Sequence, residues 1–219
     1  MNRKSILIAS GLIIVCAVLF LFLSVRESPP RIDRRPHEAL GRTLAREAVK
    51  LREGNGRVFL IARDTRMFRN PASDVQLKSF FSALKQSGVM VAATNWIKLD
   101  PLRVVSVPAG DFVQMMKKGS DQDVVVSFLG APVLEPEQFS KLPAKPPKVI
   151  AVCTGGPSSQ LNARRSFEQK LLSVAVLSRK DVPPGSPTSA DSQTWFDYLF
   201  TLATPVNLSE IANPSPARR

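Results

Sequence analysis

Hydrophobic residues in this chain come in short blocks, and the blocks alternate between two periods. Ser5 to Val25, SILIASGLIIVCAVLFLFLSV, is first and holds no charge. A helix crossing roughly 30 Å of hydrocarbon needs about 20 such residues. The run predicts a membrane-spanning helix over 5–25 behind a short tail, 1–4. A cleaved export signal would be shorter and would end in an A-x-A-like site, which FLFLSVRES does not offer. Cys16 raises a lipoprotein signal, but Val15 is bulky and the apolar run continues past the cysteine. The stretch 26–36, RESPPRIDRRP, predicts a stalk, because its prolines block helix continuation.

The segment 37–204 predicts one α/β domain, with a flexible tail at 205–219. HEALGRTLAREAVKLREG puts Leu40, Leu44, Ala48 and Leu51 on one helical face and Arg42, Arg46 and Lys50 opposite. Strands are expected at 57–63, 89–94, 123–130, 148–154 and 171–179, with a short one at 103–107. Between them fall helical patterns at 74–88, 110–119 (which Asp111 could cap), 135–142 and 159–169. TWFDYLFTLA, 194–203, reads as a closing helix. The strands are continuous apolar runs rather than alternating ones. That pattern belongs to strands covered on both faces, and so to a doubly wound, mostly parallel, Rossmann-like sheet.

Charge and candidate chemistry narrow the function without fixing it. The net charge of +12 suits a solvated surface or anionic headgroups. The basic residues are scattered and rarely meet aromatics, which disfavours nucleic acid as a partner. Cys153 has no second cysteine in the soluble part, so the pattern offers neither an internal disulfide nor a Cys/His zinc site, and no cofactor is expected. His37 is the lone histidine and sits beside the stalk, so no catalytic triad is assigned.

In a doubly wound sheet, ligands bind outside the carboxyl ends of the strands. That rule selects Arg63, Asp64, Asn95, Trp96, Gly130, Thr154, Gly155, Gly156, Ser158 and Arg179 as candidate ligand-binding residues. VIAVCTGGPSSQ is the best local signal: a strand, two glycines, then a helix start able to present N–H groups to an anion. It matches neither dinucleotide nor P-loop spacing.

The succession SFFSALKQSGVMV, DQDVVVSFLGAP and KVIAVCTG resembles one lobe of the type I periplasmic substrate-binding proteins, over about residues 57–180. The resemblance implies a binding lobe, where the family clamps ligand between two, and transfers no ligand residue. The expectation is a single-pass envelope protein with an extracytoplasmic, periplasmic module. Its partners would be membrane lipid, through the N-terminal helix, and a small solute or a protein. Two other classes stay open: a membrane-bound transferase or hydrolase acting on an anion near Thr154–Ser159 and Arg179, and a structural component of the envelope.

Overall fold

The computed structural model describes residues 3–24, 32–66, 69–99, 105–189 and 191–208. The chain forms two units, Met1–Ile32 and Asp33–Arg219. The first contains helix α1, Arg3–Ser24, on which the uncharged run falls. Side chains of α1 are described for 11–21 and are exposed. Among the described residues, no helix is long and apolar enough to cross a membrane.

The second unit opens with α2, Arg34–Leu51. It begins three residues before the expected end of the stalk. Asp33 caps it by accepting from the Arg35 N–H, and Pro36 lies in the first turn, where a missing N–H costs nothing. The remainder of the expected stalk, 26–31, and the tail from 209 lie outside the described residues.

Strands and helices then alternate: β1 Val58–Arg63, α3 Pro71–Gln86, β2 Val91–Ile97, α4 Ala109–Lys118, β3 Val124–Ser127, α5 Pro136–Phe139, β4 Lys148–Cys153, α6 Pro157–Glu168, β5 Val174–Ser178, α7 Ser192–Leu199 and β6 Phe200–Ala203. The six-stranded sheet has the order β2-β1-β3-β4-β5-β6. β1 to β5 are parallel, and β6 runs antiparallel to β5. The expected doubly wound sheet is present. β1, β3, β4 and β5 are buried almost throughout, as continuous apolar runs require.

Two cores flank the sheet. Val58, Leu60, Ala62, Val124, Val126, Ile150 and Val176 pack with Leu40 and Leu44 of α2, Phe80 of α3 and Phe196 of α7. Phe59, Ile61, Val125, Ala151, Cys153 and Leu177 pack with Phe112 and Met116 of α4 and Phe167 of α6.

Three boundaries depart from expectation. β2 begins at Val91 and extends to Ile97, beyond the predicted 89–94, because Asn95, Trp96 and Ile97 pair with Ile61, Ala62 and Arg63. Residues 105–107 form no strand, and 103–104 are not described. The closing helix stops at Leu199: Phe200 turns to φ −129°, ψ 162° and starts the edge strand β6. There, pairing of Phe200 with Ser178 and Leu202 with Val176 overrides the helical spacing of the aromatics.

Candidate functional site

The strand order reverses between β1 and β3. β2 lies on one side of β1, and β3 to β6 lie on the other. At such a reversal, the connections leave on opposite faces and open a crevice at the strand carboxyl ends. Asp64 donates its N–H to Ile97 O at 2.9 Å, and Phe128 donates to Ile61 O at 2.9 Å. The ends of β2, β1 and β3 are thereby laced together around the crevice.

Three polar clusters stand there. Asp64, buried, accepts from the Arg66 N–H at 3.0 Å and from its Nη2 at 2.7 Å. The Arg66 guanidinium and N–H hold this carboxyl down at about 2. Thr65 donates its hydroxyl to Asp74 Oδ1 at 2.9 Å, which ties the loop to the first turn of α3. On the other face, Asn95 Nδ2 donates to Asp111 Oδ1 at 3.1 Å. Asp111 is therefore not the helix cap expected of it. Pro108 occupies the cap position of α4, and Asp111 sits within the first turn. Behind β3, the Ser127 hydroxyl donates to Gly130 O at 2.7 Å and accepts from the Leu129 N–H at 3.3 Å. Gly130 has φ +92°, a conformation that suits glycine.

The candidate residues all lie along the carboxyl rim, but they form two groups. Arg63, Asp64, Asn95 and Trp96 sit at β1 and β2, with Gly130 following β3. Thr154, Gly155, Gly156, Ser158 and Arg179 follow β4 and β5. β2 and β5 are four strand gaps apart, roughly 19–20 Å at 4.7–4.9 Å per gap. The groups adjoin at Gly130, where an added Cβ would lie 3.9 Å from Ser159 Oγ, but no monosaccharide-sized solute spans from β2 to β5. Asn95 and Trp96 were expected in a loop; within β2 they point to opposite faces. Asn95 shares the face of Ile61, with Arg63 beside it, whereas Trp96 shares that of Ala62 and is 46% exposed. The Asn95–Asp111 bond and, by strand alternation, Arg63 thus fall on the α4 side of the sheet. Sequence reasoning missed Asp111, whose only signal was an acidic residue in a helix first turn.

The glycine turn after β4 is a poorer anion site than its sequence promises. Gly156, φ +96°, caps α6 without a side-chain bond. Pro157 contributes no N–H, and Ser159 and Gln160 both donate to Gly156 O, at 3.1 and 3.2 Å. The Ser158 N–H is the first-turn donor left over. Below the turn, Cys153 is buried, and burial pushes its thiol up to about 11 despite bonds from Ala131 and Ser159. Thr154 O accepts from Ser178 Oγ at 3.3 Å. Arg179 Nη1 donates to Asp197 O at 2.6 Å.

No protein-family model matches the chain, and no curated protein matches it. Solved structures do. An ABC transporter solute-binding protein from Burkholderia graminis, in complex with D-arabinose, is similar at 16% identity and a TM-score of 0.52, over 79% of this chain and 61% of that one. A carbohydrate transporter solute-binding protein from Agrobacterium radiobacter, also with D-arabinose, gives 12% and 0.46 over 83% and 64%. A galactofuranose-binding protein gives 13% and 0.45 over 81% and 63%. The chain spans less than two thirds of each. At these identities the likeness is one of fold, and the fold is that of the type I periplasmic solute-binding proteins, as the resemblance implied.

Proposed function

We propose that this chain is a solute-binding module rather than an enzyme, held at the cell envelope by residues 5–25 with its α/β unit outside the cytoplasm. Its ligand would be a small polyhydroxylated solute seated at the crevice between β1 and β3. The observation that carries this reading is the Asn95–Asp111 bond beside the strand-order reversal, on the sheet face that Arg63 shares. A guanidinium, an amide and a carboxylate there supply donors and acceptors of the kind sugar hydroxyls need, and Asp64 and Thr65 stand on the adjoining loop. The fold likeness to an arabinose-bound protein agrees with it. The uncharged run of 5–25 in the sequence is what motivates the tether. The few first-turn donors free at α6 weigh against the alternative of an enzyme acting on an anion there.

The test is calorimetric. Full-length protein in micelles is heated with D-arabinose, other monosaccharides, amino acids and nucleotides. A sugar at a hundred times its Kd stabilises by about 2.7 kcal/mol. For a chain of this size that raises Tm by roughly 5–11 °C. Asn95→Ala and Asp111→Ala should each abolish the shift. If no sugar moves Tm at millimolar concentration, the solute reading is wrong. Release of the protein from membranes by alkaline carbonate would remove the tether.

A further inference from the structure

The antiparallel edge strand β6 closes a second, chemically different concavity. An open cavity of about 860 Å³ lies between α6, the carboxyl end of β5 and β6. That volume is within the range of small-molecule sites, about 300–1,000 Å³. Its apolar lining comes from both faces of the sheet edge, Leu161, Leu177 and Leu208 on the α6 side and Phe196, Phe200 and Leu202 on the α7 side, interrupted by polar side chains such as Ser178 and Thr201. Leu161 is 51% exposed on α6, leaving an isobutyl group facing solvent beside the hollow. Apolar surface held concave and wet is what a hydrophobic ligand body would cover.

The mouth is cationic. Arg164, Arg179 and Lys180 line it, against Asp181 and Asp197. The Asp197 carboxylate is already engaged, accepting from Gln193 Nε2 at 2.7 Å. Arg179 is held in place by its bond to Asp197 O and keeps its other terminal nitrogen for a ligand. Arg164 spends only Nε on Glu168, in a surface ion pair that contributes little. Lys180 has no ion-pair partner among the described residues.

We infer that this cavity binds an amphipathic anion: an aliphatic body between α6 and β6, and a carboxylate head at Arg179 and Lys180. This site is separate from the crevice between β1 and β3, because it lies beside β5 and β6 at the opposite edge of the sheet. It therefore stands or falls independently of sugar binding.

The experiment uses full-length protein in micelles and a diazirine-bearing octanoate as photoprobe, with labelled peptides mapped by mass spectrometry. Crosslinks are expected on residues 157–164 and 200–208. Octanoate should compete and decanoate should compete better, with a gain approaching fourfold per added methylene. Octylamine and D-arabinose should not compete. Arg179→Ala with Lys180→Ala should lower labelling at least fivefold. Leu161→Asp, at an exposed position that tolerates charge, should do the same while leaving Tm unchanged. Three results would overturn the proposal: crosslinks confined to residues 5–25, which would mean partition into the micelle; equal competition by octylamine; or undiminished labelling in both variants.

Discussion

Asp123 offers a sharp test of how the sheet is held at its amino end. It precedes β3 and is buried, 2% exposed. Its Oδ1 accepts from the Arg57 N–H at 2.6 Å, and its Oδ2 from Arg57 Nη2 at 3.1 Å, the Ser120 N–H at 2.8 Å and the Ser120 hydroxyl at 3.1 Å. Burial alone would raise this carboxyl, but the donors of Arg57 and Ser120 outweigh it and hold it down at about 2, from an ordinary 3.8. A folded value below the unfolded one stabilises at every pH above 3.8, and that stabilisation is lost as pH falls from there to 2. The difference corresponds to on the order of 2 kcal/mol.

Asp123→Ala removes more than charge. It leaves the Arg57 and Ser120 N–H groups without acceptors, at about 1–3 kcal/mol each when cut off from water. The expected cost is about 3–4 kcal/mol. Arg57→Ala keeps both backbone bonds and loses an ion pair whose arginine is 56% exposed. Such pairs are worth about 0–1 kcal/mol. Urea unfolding of the full-length protein, followed through the buried Trp195, measures both variants. Repeating the titrations from pH 6 to 2 should show a shallower loss of stability in Asp123→Ala than in the wild type, with the Asp64 carboxyl, also held at about 2, keeping its own share. Equal costs for the two variants, or an unchanged pH slope in Asp123→Ala, would refute the primacy of the backbone bonds.

Two smaller predictions follow from packing. Gly41 of α2 lies against α3 so closely that a Cβ would stand 2.3 Å from Gln76 O and 2.9 Å from Phe80 N. Gly41→Ala should force the helices apart and lower stability by about 1–3 kcal/mol, read as a lower urea midpoint; an unchanged midpoint would show that the helices yield freely. Cys153, buried and with its thiol pushed up to about 11, should resist alkylation at pH 8 in a Cys16→Ser background until urea unfolds the domain. Fast labelling of the native protein would contradict that placement.

The parallel sheet was legible because burial on both faces writes continuous apolar runs such as VFLIAR and KVIAVC. What lay beyond those runs was harder to read. Edge strands are half covered, so β2 carries TNWI, whose Asn and Trp look like a loop until their pairing with β1 is known. β6 was hidden inside a helical aromatic pattern, because Phe200 and Leu202 serve the same core as Phe196 whichever backbone carries them. The rim residues were found by rule, since strand ends can be counted. Their division into two groups depends on strand order, which no local pattern encodes. The Asn95–Asp111 bond joins residues sixteen apart across the gap between a strand and a helix.

The two ends of the sheet differ in how fully their polar groups are used, and this difference bears on where a ligand binds. At the amino end, Asp123 is surrounded by donors, Lys148 Nζ donates to Leu51 O at 3.0 Å and also pairs with Glu53, and Arg52 Nη1 donates to Gly56 O at 3.2 Å. These bonds close loops onto one another and leave little capacity for a solute. At the carboxyl end, among the described residues, Asn95 spends one N–H on Asp111 and has no partner for its carbonyl and second N–H, and the Arg63 side chain has no hydrogen-bond partner. A half-buried guanidinium and amide with idle donors are costly to keep unless water or a ligand satisfies them. The carboxyl rim thus has unspent hydrogen-bonding capacity where the topology opens a crevice, and the amino rim has spent its own on holding the fold. That asymmetry supports the proposed ligand face from this chain's own chemistry, independently of any likeness to proteins that bind sugars.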